Sequence, residues 1–178
     1  MSSISLPHRF GLPARLFHWA IAAMIVLLYA TDYLREAFER GSDMRTAVLA
    51  SHTTIGILVL ALTILRLGWR FHASVPASLT HSPLLRLAAS AGHATLYAIT
   101  LIMPVFGYLR LAARDRTASF FGYPIPSATG NTPWLYDIAH FIHGEFGEIF
   151  IIVVVAGHVA AALFHHYILR DDTLRRMI

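Results

Sequence analysis

The chain has 178 residues, 56% of them hydrophobic and 13% charged, with a formal net charge of +4, 11 histidines and no cysteine, and its mean hydropathy is +0.58. That is too apolar for a soluble domain of this size, and without cysteine there can be no disulfide, thiolate-held cluster or C-x-x-C-H attachment of a prosthetic group. All the positive charge is arginine, with no aromatic-interleaved basic stripe, which excludes a nucleic-acid reading and points to lipid headgroups.

Four stretches read as membrane spans: Ala14 to Thr31, Thr46 to Leu67, Leu84 to Leu111 and Ile138 to Leu169. Each is near or above the roughly 20 residues that a helix needs to cross about 30 Å of hydrocarbon. Backbone groups in lipid must be satisfied within the protein, so the spans are expected to be helices and the fold an all-α integral membrane four-helix bundle, one domain over residues 1–178. Arg9 and Arg15 precede the first span as they would a signal peptide, but no A-x-A-like site follows Ala30, so the segment is expected to stay as a span. Pro104 and Gly107 are expected to kink or loosen the third helix.

Orientation follows from the arginines. One face, with the amino terminus, the 68–83 loop and the carboxyl terminus, carries Arg9, Arg15, Arg66, Arg70, Arg86, Arg170, Arg175 and Arg176. The other carries Arg35, Arg40, Arg45, Arg110, Arg114 and Arg116. The basic excess places both termini in the cytoplasm.

Ionisable residues inside apolar runs are costly and mark function, and neutral imidazole is the obvious metal ligand in a chain without thiols. His18, early in the outward first span, and His158, late in the inward fourth, fall toward the cytoplasmic side. His52 and His143 fall together toward the outer side. On one continuous helix His143 and His158 would lie about 22 Å apart along the axis and about 60° around it, facing one interior at two depths. Each of the four has a small residue four positions on, namely Ala22, Gly56, Gly147 and Ala162, a gap in which a macrocycle could lie. Two haems, each between two imidazoles, fit this pattern better than zinc, whose structural sites are closed tetrahedra. Small residues and buried imidazoles also serve plain helix packing, so the weight rests on four histidines at matched depths.

Other histidines sort differently. His93 has Tyr97 where a gap would be and is read as lining a substrate pocket. His165 lies on the face of His158 near the cytoplasmic surface, whereas His166 is turned away by about 100°. His8, His72 and His81 stand in polar or loop segments and are expected to be solvated.

The segments Phe17 to Trp19, SHTTIGILVL from Ser51, Gly92-His93 with Tyr97, MPVFG from Met103 and HVAAALFHHY from His158 followed by RDDTLRRM resemble the bacterial diheme cytochrome b561 proteins, in particular their superoxide oxidase branch. The resemblance covers nearly the whole chain. It implies two b-type haems held by His18, His52, His143 and His158 in the bacterial inner membrane. The family pattern spaces the fourth-helix ligands one residue closer than here; a bulge around Gly144 or Gly147 would absorb the extra residue, and His140 is the competing ligand.

The activity so implied is outer-sphere electron transfer from superoxide to ubiquinone, since two imidazoles per iron leave no open axial position. Arg110, Arg114 and Arg116 are expected to guide superoxide at the outer face, and His93, His165 and Arg86 to form the quinone pocket near the inner haem. Two alternatives stand beside this reading. One is an electron-transfer subunit serving a redox partner protein such as a membrane dehydrogenase or hydrogenase; the other is a haem-free structural or transport protein.

Overall fold

The structure is a computed structural model that describes residues 8–80 and 82–178, the side chain of Glu145 excepted; the expectation for His81 lies outside the described residues. Its helices begin where the sequence satisfies or removes orphan amides. Proline opens α1 (Leu12–Glu36), α3 (Pro83–Ala112) and α4 (Pro133–His143), where its missing N–H costs nothing. Ser42 caps α2 (Asp43–His72) by accepting from the Arg45 amide at 3.2 Å. Arg45 also donates to the carbonyls of Arg35 (2.7 Å) and Phe38 (2.9 Å), closing the end of α1. Gly41, at φ 89°, makes the reversal between α1 and α2.

The fourth span is not one helix. Gly144 has φ −97° and ψ −121°, outside helical space, and it separates α4 from α5 (Glu145–Phe164). The irregularity expected near Gly144 or Gly147 is therefore a break at Gly144, and the axial and angular offsets drawn for a continuous helix do not apply across it. α5 runs into a π-helical turn, His165–Leu169, which ends at Arg170 in a left-handed conformation with φ 54°.

A short antiparallel hairpin, β1 (Ala118–Phe120) and β2 (Tyr123–Ile125), joins α3 to α4. Its turn residues Phe121 and Gly122 have φ 50° and 85°, the positive values that a tight two-residue hairpin turn uses. Thr53 and Thr54 of α2 pin it: Thr53 Oγ1 donates to the Ser119 carbonyl at 2.7 Å, and Thr54 Oγ1 accepts from the Phe121 amide at 3.1 Å.

Packing runs α1 on α2, α2 on α3, and α3 on both halves of the broken fourth span. Ile21, Val48, Val59, Ile99 and Ala139 are buried between helices, while Val26, Ile149 and Val153 are 68%, 67% and 62% exposed. Apolar faces of this extent are unsuited to water but need no cover in hydrocarbon, where tight contact and hydrogen bonds hold helices together. All four spans are long and apolar enough to cross a membrane; this is a multi-pass membrane protein built as a four-helix bundle.

One end of the bundle is laced together. The Phe10 amide donates to the Arg176 carbonyl at 3.1 Å, Trp19 Nε1 to the Met177 carbonyl at 2.8 Å, and an Arg176 guanidinium N–H to the Ala77 carbonyl at 2.6 Å. The start of α1, the 73–80 connection and the tail after α5 thus meet at a single end, opposite the hairpin.

Candidate metal centre

The topology places two pairs of imidazoles inside the bundle. His18 of α1 and His158 of α5 have ring centres 6.1 Å apart with planes at 69°. His52 of α2 and His143 at the end of α4 are 6.2 Å apart with planes at 89°. With metal–imidazole bonds of about 2.0–2.1 Å and a ring centre about 1.2 Å behind each nitrogen, two imidazoles on opposite sides of one metal would have centres about 6.4 Å apart. Both separations are close to that value, and imidazole donors without thiolate suit a haem iron. No group of three or more His, Asp or Glu residues stands together as a metal cage among the described residues.

The pair nearer the hairpin is held through its outer ring atoms. His143 Nδ1 lies 2.8 Å from the Met103 carbonyl of α3, which fixes Nδ1–H as the donor and leaves Nε2 free. His52 Nδ1 is 3.1 Å from Thr31 Oγ1 of α1, and the Thr31 hydroxyl also reaches the Leu27 and Leu28 carbonyls at 2.9 Å. Gly107 makes room for His143: a Cβ built there would come within 2.7 Å of the ring. Gly107 thus has a steric role beside the one expected of it in α3.

Of the four expected gap residues, Gly56 has nothing among the described residues within 4 Å of a Cβ placed on it. Gly147 does not serve as a gap. The break at Gly144 takes it out of phase with His143, and a Cβ there would strike the Ile142 carbonyl and the Met103 side chain. Its smallness lets the start of α5 close against α3 and α4.

His140 takes no part in either pair. Its ring stacks on Tyr136 at 5.4 Å and 10°, and its Nδ1 is buried without a partner among the described residues. His93 is exposed on α3, its ring 5.7 Å from that of His158. His165 lies half-buried in the π-helical turn with Nδ1 2.5 Å from Asp171 Oδ2 and 3.3 Å from Thr173 Oγ1. Burial alone would push the Asp171 carboxyl up, but hydrogen bonds from Thr173 and His165 outweigh it and hold the group below the usual carboxylate range. His166 is half-buried beside Tyr167, and Arg86 is exposed in the first turn of α3. Among the described residues no ring contact, ion pair or side-chain hydrogen bond joins His93, His165 and Arg86.

The three arginines at the end of α3 are in different settings. Arg110 is half-buried in the last helical turn; Arg114 lies 3.7 Å over the Tyr136 ring; Arg116 is exposed. Arg114 and Tyr136 line a pocket of about 230 Å³ with Asn131 and Asp137. Sequence reasoning missed the roles of Thr31 and Met103, whose partners lie 21 and 40 residues away, and that of Asp171, whose partner His165 is 6 residues before it. It also missed Arg66, half-buried on α2 with its guanidinium 5.4 Å over the Tyr97 ring of α3.

A four-span helical bundle with imidazoles paired across its interior defines a membrane cytochrome of the b type. The chain belongs to the prokaryotic cytochrome b561 family, whose model matches residues 9–178. It is 31% identical over 180 residues to cytochrome b561 homolog 2 of Escherichia coli K12, covering 100% of this chain and 95% of that protein. Cytochrome b561 homolog 1 of the same organism is 32% identical over 173 residues, 96% of this chain and 97% of the relative. A probable superoxide oxidase, CybB, of Yersinia pestis is 27% identical over 161 residues, 90% of each chain. The family binds b-type haem and carries electrons in membranes.

Proposed function

We propose that residues 1–178 act as one domain that holds two b-type haems and oxidises superoxide at the expense of ubiquinone in the bacterial inner membrane, with both termini in the cytoplasm. The observation that carries the cofactor count is the pair of imidazole separations, 6.1 and 6.2 Å, each suited to one metal. His18 and His158 would hold the inner haem, and His52 and His143 the outer one. The superoxide assignment draws on the motif resemblance and on the relative from Yersinia pestis.

When bound, the haems supply one-electron redox chemistry and together can hold the two electrons that a quinone accepts. With two histidines to hold each haem, the haems when bound would exchange electrons with an oxygen species without coordinating it. Two superoxide anions each give up one electron and leave as dioxygen; one quinone takes two electrons and two protons and leaves as quinol. Arg110, Arg114 and Arg116 raise the local concentration of the anion at the hairpin end. His93, His165 and Arg86 line the quinone pocket at the laced end, and His165, oriented by Asp171 and Thr173, hands protons inward from the cytoplasm.

The test is to purify the protein alone and record its reduced-minus-oxidised spectrum before and after adding superoxide, with and without quinone. Haem reduction by superoxide, reversed by quinone, is the expected result. Low-spin haem that superoxide leaves oxidised would assign the chain to the role of a subunit for a redox partner protein, and a haem-free preparation would assign it to structure or transport.

A further inference from the structure

Among half-buried arginines, Arg66 differs from Arg35 and Arg45. Arg35 is paired with Asp32 at 2.6 Å, and Arg45 caps carbonyls at the end of α1. Arg66 enters no ion pair among the described residues. The ionisable groups that act on it are Tyr97, whose ring lies beneath the guanidinium, and Arg70, a second cation.

A guanidinium stays charged in any protein setting. Placed within a membrane span and facing other helices, it needs an opposing charge or a wet cavity, and it marks a ligand pathway. Its position says which ligand. Tyr97 lies one turn after His93 on the same face of α3, and the His93 ring is 5.7 Å from that of His158, so the Arg66 guanidinium over Tyr97 stands on the side of the inner imidazole pair, on a different helix from either member. The Tyr97 ring holds one face of the guanidinium plane, and this leaves the N–H edge to meet a planar carboxylate through two parallel hydrogen bonds.

We infer that Arg66 is an anion-binding residue of the inner centre and that its ligand is a carboxylate of the prosthetic group itself, one of the propionates that a b-type haem carries. The inference rests on the haem reading given under Proposed function and assigns to this centre a contact that the imidazoles do not supply. Tyr97 is the positioning residue, setting the guanidinium plane from below.

The test uses the purified holoprotein with Arg66→Leu and Arg66→Lys, read by haem content and by the resonance Raman propionate bending bands, which report hydrogen bonding at the carboxylates independently of turnover. The expected result is a shifted propionate band for one of two haems in Arg66→Leu, with partial return in Arg66→Lys. Should Arg66→Leu lose that haem, Arg66→Lys carries the test, because it keeps the charge and the haem while losing the bidentate geometry, and its band must shift. Unmoved bands in both variants with two haems retained would overturn the inference while leaving the haem reading intact. Loss of bound anionic phospholipid in Arg66→Leu, measured as phosphorus per protein with unmoved bands, would overturn it in favour of a lipid phosphate as the partner. Wild-type protein without haem would overturn the underlying reading and this inference with it.

Discussion

The two imidazole pairs have almost the same separation, 6.1 and 6.2 Å, but very different surroundings. At the hairpin end both rings are tied by their Nδ1 atoms, His143 to a helix carbonyl and His52 to a hydroxyl that is itself anchored, and Gly107 presses against the His143 ring. At the laced end neither His18 nor His158 makes a ring hydrogen bond among the described residues; the rings of Trp19 and His93 lie 5.1 Å from His18 and 5.7 Å from His158 instead. Ring orientation is thus set by hydrogen bonds at one centre and by packing at the other. A centre built for passage of electrons alone gains from fixed ligands, whereas one that also serves proton uptake gains from extra imidazoles near water.

The sharpest way to break this comparison is to delete its members. His52→Ala or His143→Ala should reduce haem from about two per chain to about one, as should His18→Ala or His158→Ala, with complementary spectra lost; pyridine haemochrome against protein concentration measures it. His140→Ala should keep both. Two haems after His143→Ala with one after His140→Ala would reverse the assignment on α4.

Next in size, His93→Ala and His165→Ala should retain both haems and slow quinone reduction by about a hundredfold, the lower end of the range of a lost general acid. Steady-state rates with a soluble quinone decide, and undiminished rates would remove the quinone pocket from the laced end. Gly107→Val should then separate the centres by packing, forcing His143 aside at a cost of about 1–3 kcal/mol. Gly157→Ala beside His158 meets nothing within 4 Å among the described residues and should cost no stability, gaining up to about 1 kcal/mol of helix propensity instead, when thermal scans compare the two variants.

Smaller still is Thr31→Val, which removes the hydroxyl from His52. It should weaken retention of the outer haem by about tenfold under denaturant and move its midpoint potential while leaving the inner one in place; equal movement of both would dissolve the distinction. The smallest effect belongs to the surface charges. Haem reduction by superoxide, followed by rapid mixing, should slow as salt rises, and neutralising Arg114 and Arg116 should flatten that dependence.

The spans were legible in the sequence because length and hydropathy alone define them, and depth along alternating spans was enough to set His18 against His158 and His52 against His143. The family resemblance, with its fourth-helix ligands one residue closer, also flagged an irregularity around Gly144 or Gly147, although not that the helix stops at Gly144. The hairpin at Ala118 to Ile125 left no trace, since two three-residue strands are too short for periodicity and are held by Thr53 and Thr54, about 66 residues away. Thr31 and Met103 were invisible for the same reason: a hydroxyl and a backbone carbonyl acquire their role only from what folds against them. Gly147 looked like Gly56 in sequence, and only the break between it and His143 tells them apart.

The lacing at the end of the bundle also sets an order of biosynthesis. Trp19 and Arg15 of α1 bond to the carbonyls of Met177 and Ile178, so α1 meets these acceptors only after 158 and 163 further residues have been made. α1 and α2 can pair early, as neighbours with a short link, but His18 must wait for the chain to return with His158. The pairing of His18 with His158 is therefore completed late, and the tail closes over that end of the bundle.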